Sequence, residues 1–250
     1  MDALTYSLFI IGGLACGYAL RIFFRKMPAS WLLDYDETEI TPELLASQKL
    51  KLWPDTLILM VADALVFVCG WYFLGPGLHL PAVLLAAQPL LLIVVSDFKT
   101  RIIPDQFVIA LLPCALLLWI ADGIARDPAW LTGLWQRLLG GLAGGAVLFL
   151  AGWIGEKIMH REAMGMGDVK LLAACGLMAG ILSLPLLLVL SFFSAAFVAL
   201  PMLIRRMRDP ERSSDMAFGP YISMAAMAVL LFSQPIARLW ELYLSIVVYR

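Results

Sequence analysis

The sequence predicts an all-α polytopic membrane protein of about eight transmembrane helices, forming a single membrane domain over residues 1–250. Three observations carry this. Apolar residues make up 62% of the 250 and charged residues 15%, against roughly 45–50% and 25% in soluble domains. The mean hydropathy is +0.89. The apolar residues also gather in runs near the ~20 residues that a helix needs to cross a bilayer. A soluble globule and a disordered chain are both excluded. With 18 Lys+Arg against 19 Asp+Glu, there is no basic excess to bind nucleic acid.

The first run, 4–24, follows Asp2 rather than a basic head. Its positives (Arg21, Arg25 and Lys26) come behind it, unlike a cleaved signal peptide. Its Gly13/Gly17 repeat suits close helix approach. Residues 25–53 form the largest polar segment, with Asp34, Asp36, Glu37, Glu39 and Glu43 ahead of Lys49 and Lys51. That acidic stretch is either a solvated face or an attractor for a basic partner. Runs 54–75 and 80–96 follow. The former carries Asp63 in mid-span, which costs on the order of 3 kcal/mol on insertion scales unless it is neutral or paired. A hydrogen-bonded acid between helices is the favoured reading of Asp63, and a proton or substrate pathway the other.

Runs 105–122 and 134–156 come next, the latter with Gly140/Gly144 and Gly141/Gly145. Glu156 and Lys157 close it and are expected to snorkel. Runs 169–183 and 184–204 adjoin at Ser183-Leu184-Pro185, where proline fits a tight turn. The last run is 217–235. Cys16, Cys69, Cys114 and Cys175 are isolated small hydrophobes, and His79 and His160 are solvated loop residues on opposite sides. No metal site is expected from them.

Loop charge sets the orientation. With the N-terminus outside, the cytosolic segments hold Arg21, Arg25, Lys26, Lys49, Lys51, Lys99, Arg101, Lys157, Arg161, Lys170, Arg205, Arg206, Arg208 and Arg212. That is 14 of the 18 Lys+Arg, leaving Arg126, Arg137, Arg238 and Arg250 outside. The positive-inside rule therefore places both termini outside and four loops in the cytosol.

Two segments could carry chemistry, both at the cytosolic edge. One runs from Asp97 to Asp105 and contains Ile103-Pro104-Asp105. The other is Gly165-Met166-Gly167-Asp168-Val169-Lys170. Two carboxylates at one membrane depth can meet across a bundle. Close carboxyls cannot both ionise cheaply, so they share a proton. The ionised one then activates water while the protonated one polarises a scissile carbonyl. Helix dipoles alone would put the proton on Asp97, at a helix C-terminus, and the charge on Asp168, at a helix N-terminus. The plainer readings stay open on spacing alone: Asp105 and Asp168 as N-caps, and Asp97 as a loop acid paired with Lys99 or Arg101.

These motifs, together with Phe218-Gly219-Pro220 opening the last run, resemble those of the type IV prepilin peptidases. These are bacterial polytopic aspartic peptidases of the inner membrane. The resemblance covers roughly 90–235 and implies Asp97 and Asp168 as the catalytic pair. Pro104, Asp105, Gly165, Gly167, Lys170, Phe218, Gly219 and Pro220 are then supporting motif residues. It implies cleavage of basic leader peptides from prepilins and pseudopilins at the cytosolic face, with no cofactor for the peptidase step. Better-known members carry two C-x-x-C pairs in the first cytosolic loop and also methylate the new N-terminus with S-adenosylmethionine. Here 25–53 contains no cysteine, and Pro28–Tyr35 stands in that place. Zinc is not expected, the missing cysteine pairs point to weak or absent methyl transfer, and S-adenosylmethionine enters only if that activity is present. The competing function is a proton-coupled transporter using Asp63, against which no inverted repeat of the spans is evident. A non-enzymatic scaffold has nothing in its favour.

Overall fold

The computed structural model describes residues 3–33, 39–125, 130–160, 164–208 and 217–233. Among these residues the chain is a bundle of nine α-helices without strands. They are α1 (Ala3–Lys26), α2 (Pro42–Ser47), α3 (Leu57–Leu74), α4 (His79–Thr100), α5 (Asp105–Ala125), α6 (Trp130–Met159), α7 (Met166–Ala179), α8 (Leu184–Arg208) and α9 (Gly219–Leu231). The acids Asp34, Asp36 and Glu37 of the first polar segment, with Arg126, Arg161, Arg212, Arg238 and Arg250, lie outside the described residues.

Among the described residues, six helices are long and apolar enough to cross a membrane. The expected runs 169–183 and 217–235 differ. They fold as α7 and α9, helices of 14 and 13 residues, or about 21 and 20 Å of rise against ~30 Å of hydrocarbon. Both lie inside the bundle. The fully covered side chains of α7 and α9 include Leu171, Leu172 and Ile222, so neither helix has to match the lipid. Gly180, at φ 78, ends α7, and the chain turns into α8 at Leu184-Pro185 as the proline suggests.

In lipid, helices associate by packing and hydrogen bonding rather than by transfer from water. The glycine repeats act there. A Cβ at Gly13 would lie 2.5 Å from Ala64 Cα, and one at Gly17 2.6 Å from Met60 Cα. Only glycine lets α1 lie so close on α3. Gly140 and Gly144 of α6 likewise meet Gly176 and Leu172 of α7 backbone to backbone. This contact seats α7.

Asp63 is fully buried between α3 and α4, where its Oδ1 accepts a hydrogen bond from Gln88 Nε2 at 3.1 Å. The structure thus favours the inter-helix reading of this acid. His79 is not a solvated loop residue. It opens α4 and lies 3.3 Å from Asp122, whose other oxygen takes Arg137 at 2.5 Å. Arg137 also donates to the Met178 carbonyl near the end of α7. At the opposite end of the bundle, buried Gln48 donates to the Phe24 and Met27 carbonyls at 3.0 and 2.6 Å. This satisfies backbone acceptors at the C-terminus of α1. Trp31 then packs edge-on to Phe107, ring centroids 6.3 Å apart.

Candidate active site

Asp97 lies within α4, in its last turn, not in a loop after residue 96. The helix continues because its end is well closed. Thr100 Oγ1 donates to the Ser96 carbonyl at 2.9 Å, and the Arg101 N–H donates to the Asp97 carbonyl at 3.0 Å. Arg101 is left-handed, φ 58 and ψ 26, a conformation that costs a non-glycine residue roughly 1–2 kcal/mol. The Asp97 side chain is only 4% exposed. Lys99 turns away from it to Asp55, 2.8 Å off, so the pairing of Asp97 with Lys99 does not form. Arg101 stays within electrostatic reach.

Asp168 is the third residue of α7. Gly165 caps that helix in an extended conformation, and the Asp168 N–H donates to the Gly165 carbonyl at 3.2 Å. Lys170, one position beyond Val169, bonds both Asp105 oxygens at 3.0 Å. Asp105 is the first residue of α5, where an acid suits the helix dipole.

The third motif opens α9. Phe218 packs on Phe192 with centroids 5.3 Å apart, and Pro220 sits in the first turn of the helix, where its missing N–H costs nothing. Gly219 faces Asp97. A Cβ at this glycine would lie 2.7 Å from Asp97 Oδ2 and 2.7 Å from Ile103 Cδ1, and the Gly219 N–H points to the carboxylate. A Cβ at Gly167 would lie 3.3 Å from Ile103 Cβ.

Asp97 and Asp168 line one cavity of about 730 Å³, together with Arg101, Pro104, Asp105 and Gly165. Trp31, Trp153 and Glu156 form another part of its wall. Asp97 Oδ2 and Asp168 Oδ1 are shielded from solvent without a hydrogen-bond partner, as is Asp63 Oδ2 outside this cavity. Unpaired carboxylate oxygens are costly to bury, and the first two are set apart by sharing one cavity. Burial first, and the Asp97 charge second, push the Asp168 carboxyl up to about 7. The acids are therefore close enough to feel one another, as a proton-sharing pair requires. Asp63 does not line this cavity.

The three motifs thus converge, although their residues are far apart in sequence. Ile103 entered the sequence reading only as part of the Ile103-Pro104-Asp105 motif, and its place against both motif glycines shows in the structure alone. Trp31 was not singled out, and it is brought in by its contact with Phe107.

Residues 82–200 match the model of the type IV leader peptidase family. A prepilin leader peptidase/N-methyltransferase of Aeromonas hydrophila is 32% identical over 187 residues, covering 75% of this chain and 59% of that protein. The protein of that name from Escherichia coli (strain K12) is 30% identical over 181 residues, covering 72% of this chain and 75% of its own length. A Pseudomonas aeruginosa relative of the same name is 32% identical over 169 residues, 68% of this chain and 55% of that protein. The chain thus spans about six-tenths of the length of the Aeromonas relatives. No solved structure matches it. The matched span contains both acids, and the Escherichia coli relative is covered over most of its length: this multi-pass membrane protein belongs to the type IV leader peptidase family.

Proposed function

We propose that this protein is an aspartic endopeptidase. It cleaves basic leader peptides from type IV prepilins and pseudopilins at the cytosolic face of the bacterial inner membrane. The observation that carries this reading is the pair of electrostatically coupled carboxyls, Asp97 buried and Asp168 half-buried, in one cavity. The relatives' names supply the substrate class. The 14-to-4 split of Lys+Arg supports the cytosolic orientation.

Within the pair, the proton goes to Asp168, the reverse of what the helix dipoles suggest. The dipole at the start of α7 favours a charged Asp168 by roughly 0.3–1 kcal/mol. The Gly219 N–H and, more weakly, the Arg101 charge favour an ionised Asp97, while burial and the Asp97 charge both favour a proton on Asp168. Asp97 then takes a proton from water as that water attacks the scissile carbonyl. Asp168 donates its hydrogen bond to the carbonyl oxygen, where negative charge develops. Collapse of the tetrahedral species returns a proton to the leaving amine, and both acids are restored.

The transporter reading has no support. Asp63 is sealed between helices and held by Gln88, away from the cavity. The relatives' names include a second activity, N-methyl transfer. The Trp31 ring and the Glu156 carboxylate line the same cavity and suit a cationic sulfonium such as S-adenosylmethionine, whereas the Trp153 ring already carries the Lys157 ammonium, 3.9 Å from its centroid. Bound there, that group would supply the methyl carbon, and Trp31 and Glu156 would hold it.

The test is cleavage of a type IV prepilin by the purified full chain, followed as a shortened product on a gel. Product from the parent protein, lost in Asp97→Asn and Asp168→Asn but kept in Asp63→Asn, supports the reading. Product that persists in either dyad variant refutes it.

A further inference from the structure

Among the described residues, the helices that carry the two acids share little direct contact. α4 packs on α5 and α9, and α7 packs on the same two helices. The separation of Asp97 and Asp168 is therefore set by what lies between. One short stretch, residues 102–105, reaches the neighbourhood of both acids. Ser96 Oγ, next to Asp97, donates to the Ile102 carbonyl at 2.8 Å. The Ile103 side chain fills the gap between Gly167, adjacent to Asp168, and Gly219, which faces Asp97. Asp105 holds Lys170, two residues past Asp168, through both oxygens at 3.0 Å.

The geometry points to Ile103 and the Asp105–Lys170 ion pair as positioning residues that set the spacing of the Asp97 and Asp168 carboxyls. This deepens the peptidase reading and rests on it. Neither element touches the reacting atoms. Ile103 acts as a spacer of fixed width, because the two surfaces it separates are glycine backbone and cannot give way as a side chain would. The ion pair fixes how α7 is set against α5 along the line of the acids. Two acids that must hold one water and one carbonyl between them tolerate little error. A misplacement of ~1 Å can cost on the order of 10²-fold in rate.

The experiment uses the full chain in detergent with a type IV prepilin as substrate. Ile103→Ala is expected to lower kcat by about 10- to 100-fold with KM within about twofold. Ile103→Val, which keeps the branched Cβ against Gly167, should lose only about threefold. Asp105→Lys and Lys170→Asp should each lower kcat by about tenfold, and the double exchange should recover most of it. Acids that drift apart repel one another less, so their two titration steps draw together and the pH–kcat bell narrows. A role in folding alone would reduce the amount of active enzyme and leave the width of the bell unchanged. An unchanged width in Ile103→Ala, or losses in KM only, overturns the proposal. Infrared titration of the carboxyl bands without substrate reads the same spacing independently of cleavage. Narrowing there with a parent protein that cleaves no prepilin keeps the spacing role and removes the peptidase reading. Cleavage with no narrowing removes the spacing role alone.

Discussion

Gly219 and Asp97 stand in such close opposition that a Cβ on the glycine would lie 2.7 Å from the acid's Oδ2. Side-chain carbons do not approach carboxylate oxygens so closely, and Ile103 blocks retreat on the other side. Gly219→Ala should therefore displace Asp97 and lower kcat by about 10²-fold, with the protein still inserted. Single-turnover cleavage of a prepilin checks this, and turnover near the parent rate would contradict it.

Asp97→Asn and Asp168→Asn should each lower the rate by ~10²–10⁴-fold, the range that a positioned acid or base contributes. The double variant should be scarcely slower than either single one, because the two groups act as a unit. Asp63→Asn keeps a hydrogen-bonding partner for Gln88 and should cleave normally. Initial rates with one prepilin substrate compare all four.

Cleavage should fall as pH rises through about 7, where Asp168 gives up its proton. The same shift governs stability. The Asp168 pKa is raised in the folded protein above its ordinary value of 3.8. Its contribution is thus fully present below that ordinary value and is lost as pH rises through about 7. Asp168→Asn should then be more stable than the parent at pH 8, by on the order of 1 kcal/mol after solvent screening, with the advantage gone near pH 4. Thermal unfolding in detergent at the two pH values reads the difference.

Orientation can be read with single cysteines at two exposed positions. Gly77→Cys has open space around its Cβ, in the connection between α3 and α4, and should react with an impermeant maleimide added to intact cells. Glu43→Cys, in α2, should react only after permeabilisation. The opposite pattern would invert the topology.

Mass spectrometry of the processed pilin tests methyl transfer. Product made with S-adenosylmethionine should carry one added methyl at its new N-terminus, and Trp31→Ala should reduce that fraction more than it reduces cleavage. An unmethylated product would leave the chain a peptidase alone.

Much of this was legible in the sequence, for physical reasons. Apolar runs, glycine repeats and acids at span edges report on membrane insertion, close packing and costly charge, and each is a local property. The run boundaries located the helices, and Gly13, Gly17, Gly140 and Gly144 marked the contacts they make. What was not legible depends on partners distant in the chain. Nothing near Lys99 shows that it will choose Asp55 over Asp97, or that Lys170 will choose Asp105. The run at 169–183 was already short in the sequence, but hydropathy cannot tell a run facing lipid from one facing other helices, so the enclosure of α7 and the shortness of α9 were missed. The left-handed Arg101 followed from neither propensity nor pattern, and the approach of the Gly219 N–H to Asp97, which with the burial of Asp168 reverses the assignment of the proton, depends on a residue more than a hundred positions away.

Helices of 14 and 13 residues inside a bundle of longer ones also bear on the lipid itself. Enclosed by longer helices, neither has to match the hydrocarbon thickness. α7 and α9 begin at the end that holds Asp168 and Gly219. The longer helices around them carry the contact with lipid, so a change in lipid chain length acts on those helices first and reaches the carboxyls only through their packing.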